Sequence, residues 1–139
     1  FQISTNPGTP LGPLQKVASG GELSRLLLAL RVALSAATPL PTLIFDEVDA
    51  GVGGAVAAAV GRRLKRLGEK VQVLVVTHSP QVAAEGHAHW KIVKDDTTGL
   101  QRTTAKELAK TERVEEIARM LSGEMITEEA RAASLKLLY

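Results

Sequence analysis

The sequence contains no cysteine, which excludes a disulfide scaffold, a zinc–thiolate site and a cysteine nucleophile. Aromatic residues make up only 3% of the 139 residues, and this scarcity disfavours a surface that stacks on nucleic-acid bases. No apolar run approaches the roughly 18 residues that a membrane-spanning helix needs. The net charge of +2 is too small to indicate nucleic-acid binding by itself. With 45% hydrophobic and 23% charged residues, the composition is that of a globular chain.

Short apolar runs alternate with helix-forming segments along the chain, an order that is typical of an α/β sheet. Residues 42–45 and 71–76 are nearly continuous apolar runs, as expected of strands buried on both faces of a parallel sheet. Residues 90–94 and 100–104 are separated by a turn and predict a hairpin nearer the edge. The predicted helices cover residues 23–34, 55–70, 81–85, 114–121 and 127–138.

Two acidic residues, Asp46 and Glu47, directly follow the first apolar strand. The carboxyl ends of parallel strands are where α/β sheets bind their ligands. In nucleotide hydrolysis, a first carboxylate at such a position holds Mg²⁺, often through its water shell. A second carboxylate orients or deprotonates the attacking water. Taken alone, the motif fits a pair of solvated acids at a loop equally well.

A short glycine-containing segment, Ser19, Gly20, Gly21 and Glu22, precedes the first predicted helix. Its glycines allow backbone N–H groups to approach an anion, and a helix N-terminus favours negative charge. The same residues also fit a capping box, with Ser19 as N-cap and Glu22 three residues later. As a single motif, the cap is the better interpretation.

Two further polar residues follow the predicted strands. His78 comes just after the strand at residues 71–76, where it can hydrogen-bond a γ-phosphate oxygen, although a lone histidine is more often structural. Asp49 lies in the glycine-rich turn that also contains Gly51, and by itself it is an ordinary turn aspartate.

Taken together and in this order, the four motifs resemble the C-terminal lobe of an ABC-type ATPase head. In this resemblance, residues 19–22 correspond to the signature motif, residues 43–47 to the Walker B strand, residues 48–51 to the D-loop and His78 to the switch histidine. The segments 17–25, 45–54, 77–83 and 112–121 are more specifically similar to the RecN family of bacterial SMC-like ATPases. The resemblance extends over essentially the whole chain.

The resemblance implies an α/β fold with a largely parallel sheet, flanking helices and an edge hairpin. Residues 1–139 are then one domain, the C-terminal lobe of the head. Residues 1–16 form the strand and loop that leave a coiled coil, and residues 17–94 hold the four motifs. Residues 95–139 form the hairpin and the C-terminal helices.

The resemblance also implies that two heads sandwich two ATP molecules, with ATP and Mg²⁺ as cofactors. The implied ATP-binding residues, which act on the nucleotide of the opposite head, are Ser19, Gly20, Gly21 and Glu22. Asp46 orders Mg²⁺ through water, Glu47 and His78 are catalytic, and Asp49 with Gly51 forms a D-loop that couples the two sites. The implied function is repair of DNA double-strand breaks and recombination, with DNA and a second head as partners. The implied location is the bacterial cytoplasm at the nucleoid, with no membrane.

No Gly-x-x-x-x-Gly-Lys-Ser/Thr phosphate loop occurs in the sequence. In RecN-like proteins this Walker A loop lies in an N-terminal lobe, which a long coiled coil separates from the C-terminal lobe. The chain also opens without Met, in a strand-like segment. We therefore expect a C-terminal lobe that needs the Walker A lobe for ATP hydrolysis and that exposes a sheet edge or an apolar patch.

Other interpretations are weaker. A serine hydrolase with Ser19, Asp46 and His78 lacks the Gly-x-Ser-x-Gly elbow, because Val17 occupies the first glycine position. A dinucleotide site at residues 51–56 lacks the third glycine of its fingerprint.

His87 and His89 are a weak metal pair, since no cysteine or third ligand is near them in the sequence. The basic segment 62–70 can contact DNA phosphates but is more often a solvated helix face. Another SMC-type chromosome-maintenance head, or a non-catalytic dimerisation module, also remains open.

Overall fold

The computed structural model describes residues 2–4, 8, 10–13, 26, 28–30, 41–95 and 102–139. These residues belong to two compact units, Phe1–Thr77 and His78–Tyr139. The signature-motif segment, residues 19–22, lies outside the described residues. The assignment of residues 1–139 to a single domain stays a prediction.

Among its described residues, the first unit shows two strand pairs and a long helix. Its elements are β1 (Gln2–Ile3), β2 (Gly12–Pro13), β3 (Thr42–Asp46), α1 (Gly54–Gly68) and β4 (Gln72–Val76). Strands β1 and β2 pair antiparallel, whereas β3 and β4 pair parallel, with Ile44 opposite Leu74 and Asp46 opposite Val76. Residues 26 and 28–30 are helical, which agrees with the helix predicted over residues 23–34.

Helix α1 forms because its apolar residues recur every three or four positions and line one face. The buried side chains of that face belong to Ala57, Val60, Leu64 and Leu67. On the neighbouring strand β3, alternate residues Leu43 and Phe45 are buried as well. The core of this unit therefore combines one face of the parallel pair with one face of α1.

The other face of the parallel pair is open. Ile44 of β3 is 66% exposed, and Leu74 and Val76 of β4 are each 53% exposed. We call these three residues the open face. Burial of both strands on both faces, predicted from the continuous apolar runs, is therefore wrong for this chain, because Leu43 and Phe45 are buried on one face while the three residues of the open face are exposed. The expected exposed apolar patch is confirmed.

The second unit begins with a short helix and a hairpin. Its elements are α2 (Pro80–Glu85), β5 (Trp90–Asp95), β6 (Arg102–Glu107), α3 (Lys110–Ser122) and α4 (Glu128–Leu138). Strands β5 and β6 pair antiparallel from Trp90 opposite Glu107 to Asp95 opposite Arg102. The predicted hairpin is confirmed, although its second strand starts at Arg102 rather than at residue 100.

Local capping sets the limits of the last two helices. The Glu112 carboxylate accepts a hydrogen bond from the Ala109 backbone N–H at 2.9 Å, where α3 begins. Gly123 follows α3 with a φ of +81°, a left-handed conformation that suits glycine. The Thr127 hydroxyl accepts from the Ala130 N–H at 3.2 Å, as expected for an N-cap of α4.

Helices α2, α3 and α4 pack against one another in the second unit. Ile117 of α3 is fully buried, as is Ser134 of α4. The Arg113 guanidinium donates to the carbonyl oxygens of Ala83, Ala84 and Gly86, and so links α3 to the end of α2. Among the described residues, no helix is long and apolar enough to cross a bilayer.

Candidate active site

The predicted acidic pair lies at the carboxyl end of β3. Asp46 is the last residue of the strand, Glu47 follows it, and both side chains are exposed. Glu47 has a φ of +48°, a left-handed conformation that is uncommon and costly for a residue other than glycine. Its N–H donates to the Val76 carbonyl at 3.0 Å, and its carbonyl accepts from the Ala50 N–H at 3.0 Å. Glu47 therefore sits in a sharp turn that is hydrogen-bonded to the end of β4.

Asp49 is buried in this turn rather than exposed, with only 3% of its surface accessible. Its Oδ2 accepts a hydrogen bond from the Thr77 hydroxyl, on the residue that directly follows β4. Its Oδ1 is also buried and has no hydrogen-bond partner among the described residues. The side chain of Asp49 thus ties the turn after β3 to the end of β4.

Sequence reasoning missed this contact. Outside the family resemblance, the sequence indicates only a turn at Asp49, and it does not single out Thr77. A signal was nevertheless present, because parallel strands bring their carboxyl ends to one edge. The residues that follow two paired strands are therefore candidates for contact.

The turn continues through Gly51, which has a φ of +70°. A glycine suits this position because a side chain would strain the backbone there. The Val52 N–H then donates to the Asp49 carbonyl at 3.4 Å before α1 begins at Gly54. The residues predicted as the D-loop therefore form a compact connection between β3 and α1.

The donor chemistry of this edge fits Mg²⁺ in one specific way. Mg²⁺ prefers oxygen ligands, keeps several waters, and is often bound by one or two carboxylates together with substrate phosphates. Asp46 offers an exposed carboxylate of this kind. Within the described ranges, no group of three or more acidic, histidine or cysteine side chains could enclose a metal. An exposed carboxylate of this kind fits a hydrated cation that is shared with a nucleotide.

The other predicted site residues lie outside the turn between β3 and α1. His78 is exposed and is the first residue of the second unit, adjacent to Thr77 along the chain. Ser19, Gly20, Gly21 and Glu22 lie outside the described residues. In the first unit, the structure brings together Asp46, Glu47, Asp49 and Thr77.

The two histidines of the second unit, His87 and His89, differ in their surroundings, and only His89 is packed as a structural residue would be. His87 is exposed, while His89 is half-buried and its buried Nδ1 has no hydrogen-bond partner among the described residues. Burial lowers the pKa of His89 below its ordinary value of 6.5, the charges of Arg113 and Lys91 lower it further, and Glu116 acts in the opposite direction. The folded unit therefore favours neutral His89.

We predict that the free energy of unfolding decreases as the pH falls below 6.5. The folded pKa of His89 lies below the unfolded one, so the unfolded state binds the proton more readily. The contribution is complete above pH 6.5 and is lost as the pH falls through the folded pKa, with a slope of at most about 1.4 kcal/mol per pH unit. Denaturant titrations between pH 7.5 and 5 measure this slope.

His89→Gln should remove this slope, and His87→Gln is the matched control because His87 is exposed. An unchanged slope in His89→Gln would contradict the assignment. The lowered pKa of Glu116 acts in a more acidic range, below its ordinary 4.5, so it does not interfere.

Comparison of the sequence with models of known protein families shows the family of the chain. Residues 14–100 match the family model described as the RecF/RecN/SMC N terminal domain. The chain belongs to the RecF/RecN/SMC family. The matched segment includes Asp46, Glu47, Asp49 and Thr77, and it ends before α3.

Within this family the chain is RecN-like. It is 54% identical over 138 residues to the DNA repair protein RecN of Xylella fastidiosa (strain 9a5c), covering 99% of this chain and 25% of that protein. The chain thus spans about a quarter of the length of this curated relative.

Solved structures with a similar fold include Smc head domains. The Smc head domain with a coiled coil and joint from Pyrococcus yayanosii matches with a TM-score of 0.67 at 21% identity, over 87% of this chain and 25% of that chain. A chain solved in work on ATP-driven dimerization and DNA-stimulated activation of SMC ATPases matches with a TM-score of 0.64 at 19% identity. That match covers 89% of this chain and 81% of the other. The α/β fold class predicted from the sequence is confirmed.

Proposed function

We propose that this chain supplies the Walker B strand and the signature motif to the ATP-hydrolysing head of a RecN-like DNA repair protein. The observation that carries the proposal is the exposed acidic pair, Asp46 and Glu47, at the carboxyl end of a parallel strand pair. The 54% identical relative is named a DNA repair protein, and the solved SMC ATPases are described by ATP-driven dimerization. Both names support the proposal.

Asp46 and Glu47 have different roles in the proposed reaction. Bound Mg²⁺ would neutralise charge on the phosphates and supply a template for the transferred group. Asp46 holds the water shell of that ion. Glu47 orients the attacking water and accepts its proton. Its carboxylate is exposed beyond the strand end and is therefore accessible to that water.

The remaining predicted residues complete the site across two heads. His78 is proposed to hydrogen-bond the γ-phosphate in the same head, and the D-loop residues Asp49 and Gly51 to couple the two nucleotide sites. The residues proposed to contact the nucleotide of the opposite head are Ser19, Gly20, Gly21 and Glu22. ATP then favours the closed pair of heads because it binds that state better than the open one.

A second lobe is required by this proposal because the chain contains no phosphate loop of the Walker A type. The open face of Ile44, Leu74 and Val76 supports such a partner, since an exposed apolar patch of this kind marks an interaction surface. We propose that the Walker A lobe of the same protein covers it. An assembly that forms without turnover would instead favour the non-catalytic dimerisation module.

DNA is the proposed macromolecular partner. The proposed role is double-strand break repair and recombination, and the proposed location is the bacterial cytoplasm. One exposed face of α1 and the turn after it support contact with phosphates. Its cationic side chains are those of Arg62, Arg63, Lys65, Arg66 and Lys70. Cations grouped in this way attract a polyanion without reading its sequence.

The proposal is tested by ATP turnover of the assembled head as a function of Mg²⁺ concentration. Asp46→Asn should raise the half-saturating Mg²⁺ concentration about tenfold, because the amide binds a hard cation more weakly than a carboxylate does. Asp95→Asn is the matched control, since Asp95 is also an exposed aspartate at the last residue of a strand.

The two parts of the proposal fail separately in this experiment. If the wild-type head does not hydrolyse ATP at any Mg²⁺ concentration, the proposed function is wrong. If it hydrolyses ATP and Asp46→Asn behaves like Asp95→Asn, only the role of Asp46 is wrong.

A further inference from the structure

The contact between Asp49 and Thr77 joins the turn that contains Glu47 to the end of the neighbouring strand. We propose that this pair, here called the clasp, holds the backbone of Glu47 in the conformation that aims its carboxylate at the attacking water. The clasp thereby gives Asp49 a role inside its own head. This inference rests on the proposed function of Glu47 as the base.

The backbone of Glu47 needs such support. Its φ of +48° is left-handed, and a residue with a side chain keeps this conformation only when its surroundings enforce it. Two backbone hydrogen bonds contribute, from Glu47 N–H to the Val76 carbonyl and from Ala50 N–H to the Glu47 carbonyl, both at 3.0 Å. The first bond fixes the start of the turn at Glu47, and the second closes the turn over residues 47–50.

The clasp adds a side-chain link beyond those two bonds. Asp49 lies two residues after Glu47, and Thr77 lies one residue after Val76, the acceptor of the Glu47 N–H. Glu47 is therefore held to the end of β4 from both sides of the turn. Without the clasp, the turn loses its side-chain link to that strand end, and the left-handed conformation can relax.

The burial of Asp49 indicates positioning rather than general stabilisation. A carboxylate that is 3% exposed, with one oxygen bonded to Thr77 and the other unpartnered among the described residues, is a costly group to bury. A well-packed apolar residue at such a position generally stabilises a fold at least as well. What the carboxylate adds is a directed hydrogen bond between two strand ends.

The test measures kcat and KM for ATP in the full-length protein that carries this chain. Thr77→Val keeps the shape of the side chain and removes the hydroxyl donor, whereas Thr77→Ser keeps the donor. Because a catalytic group displaced by about 1 Å costs about 100-fold in rate, a partial relaxation of Glu47 should lower kcat about tenfold. KM should stay within about twofold, and Thr77→Ser should restore kcat.

A double-mutant cycle separates positioning from a merely structural role. In the Glu47→Gln background, Thr77→Val should cause no further loss of single-turnover rate, since the base that it positions is already absent. A purely structural defect would lower the active fraction equally in both backgrounds, and that result would overturn the clasp.

Asp49→Asn covers the case in which Thr77→Val does not fold. The amide keeps the size of the side chain and an acceptor oxygen, so a kcat loss of about threefold is expected, with KM again unchanged. Full activity in every clasp variant, with turnover abolished by Glu47→Gln, would overturn the clasp alone. Turnover that survives Glu47→Gln would contradict the proposed function and the clasp together.

Discussion

Replacing Glu47 by glutamine is expected to lower ATP turnover of the assembled head by about 100-fold or more, because a positioned general base contributes about 100- to 10,000-fold. Glutamine has nearly the same shape, but its amide cannot accept the proton of the attacking water. ATP binding should persist, since Mg²⁺ is proposed to depend on Asp46 rather than on Glu47. The heads should therefore accumulate as ATP-bound dimers.

Two measurements check this expectation together: steady-state phosphate release, and the dimer fraction by size exclusion in the presence of ATP and Mg²⁺. Glu69→Gln is the matched control, because Glu69 is an exposed glutamate of the same unit at the end of α1. It should turn over ATP like the wild type. Rapid turnover in Glu47→Gln would remove Glu47 from the role of base.

The main elements of this fold could be predicted because their sequence signals are local and strong. Strands β3 and β4 are apolar runs of strand length, and α1 repeats its apolar residues at helical spacing. The helix predicted over residues 127–138 is confirmed as α4, and the Thr127 hydroxyl is its N-cap. Each of these features depends on neighbours within a few residues.

The features that could not be predicted depend on contacts between distant residues. Asp49 and Thr77 are 28 positions apart, and nothing local to either residue indicates that one buries against the other. The left-handed backbone of Glu47 was not predictable either, because such conformations are usually assigned to glycine or asparagine. The sequence therefore identifies the acidic residues of the candidate site, and the structure adds the contacts and the backbone conformation that position them.

The open face illustrates a different limit. The continuous apolar runs of β3 and β4 predict strands that are buried on both faces. The sequence does not identify the segment that would cover each face. In this chain Leu43 and Phe45 are buried on one face, and Ile44 and Leu74 stay exposed on the other. The apolar pattern marks the positions that suit burial, and the structure shows which of them the chain itself buries.

The strongest assembly prediction concerns this open face. The chain alone should show no ATP turnover, and turnover should appear when it is mixed with a separately produced Walker A lobe. Leu74→Asp should abolish this reconstituted activity. In the chain alone Leu74 is 53% exposed, so the substitution loses about half of a leucine's burial and should lower the free energy of unfolding by about 1–2 kcal/mol.

In the assembled head the same substitution has a much larger cost. It prevents burial of the exposed half of the leucine, worth about 1 kcal/mol, and it places an unpaired carboxylate against an apolar surface at a cost of several kcal/mol. Since about 1.4 kcal/mol corresponds to a tenfold change in affinity, association of the two lobes should weaken more than 100-fold. Calorimetric titration of one lobe into the other measures that loss directly.

Val56→Asp is the matched control for Leu74→Asp. Val56 is 46% exposed, lies in the first turn of α1, and is not part of the open face. An aspartate there is compatible with the helix N-terminus, so the variant should bind the Walker A lobe like the wild type. If Leu74→Asp also binds normally and supports turnover, the open face is not where the lobes meet. Equal losses in both variants would instead show that any added negative charge on this unit opposes assembly.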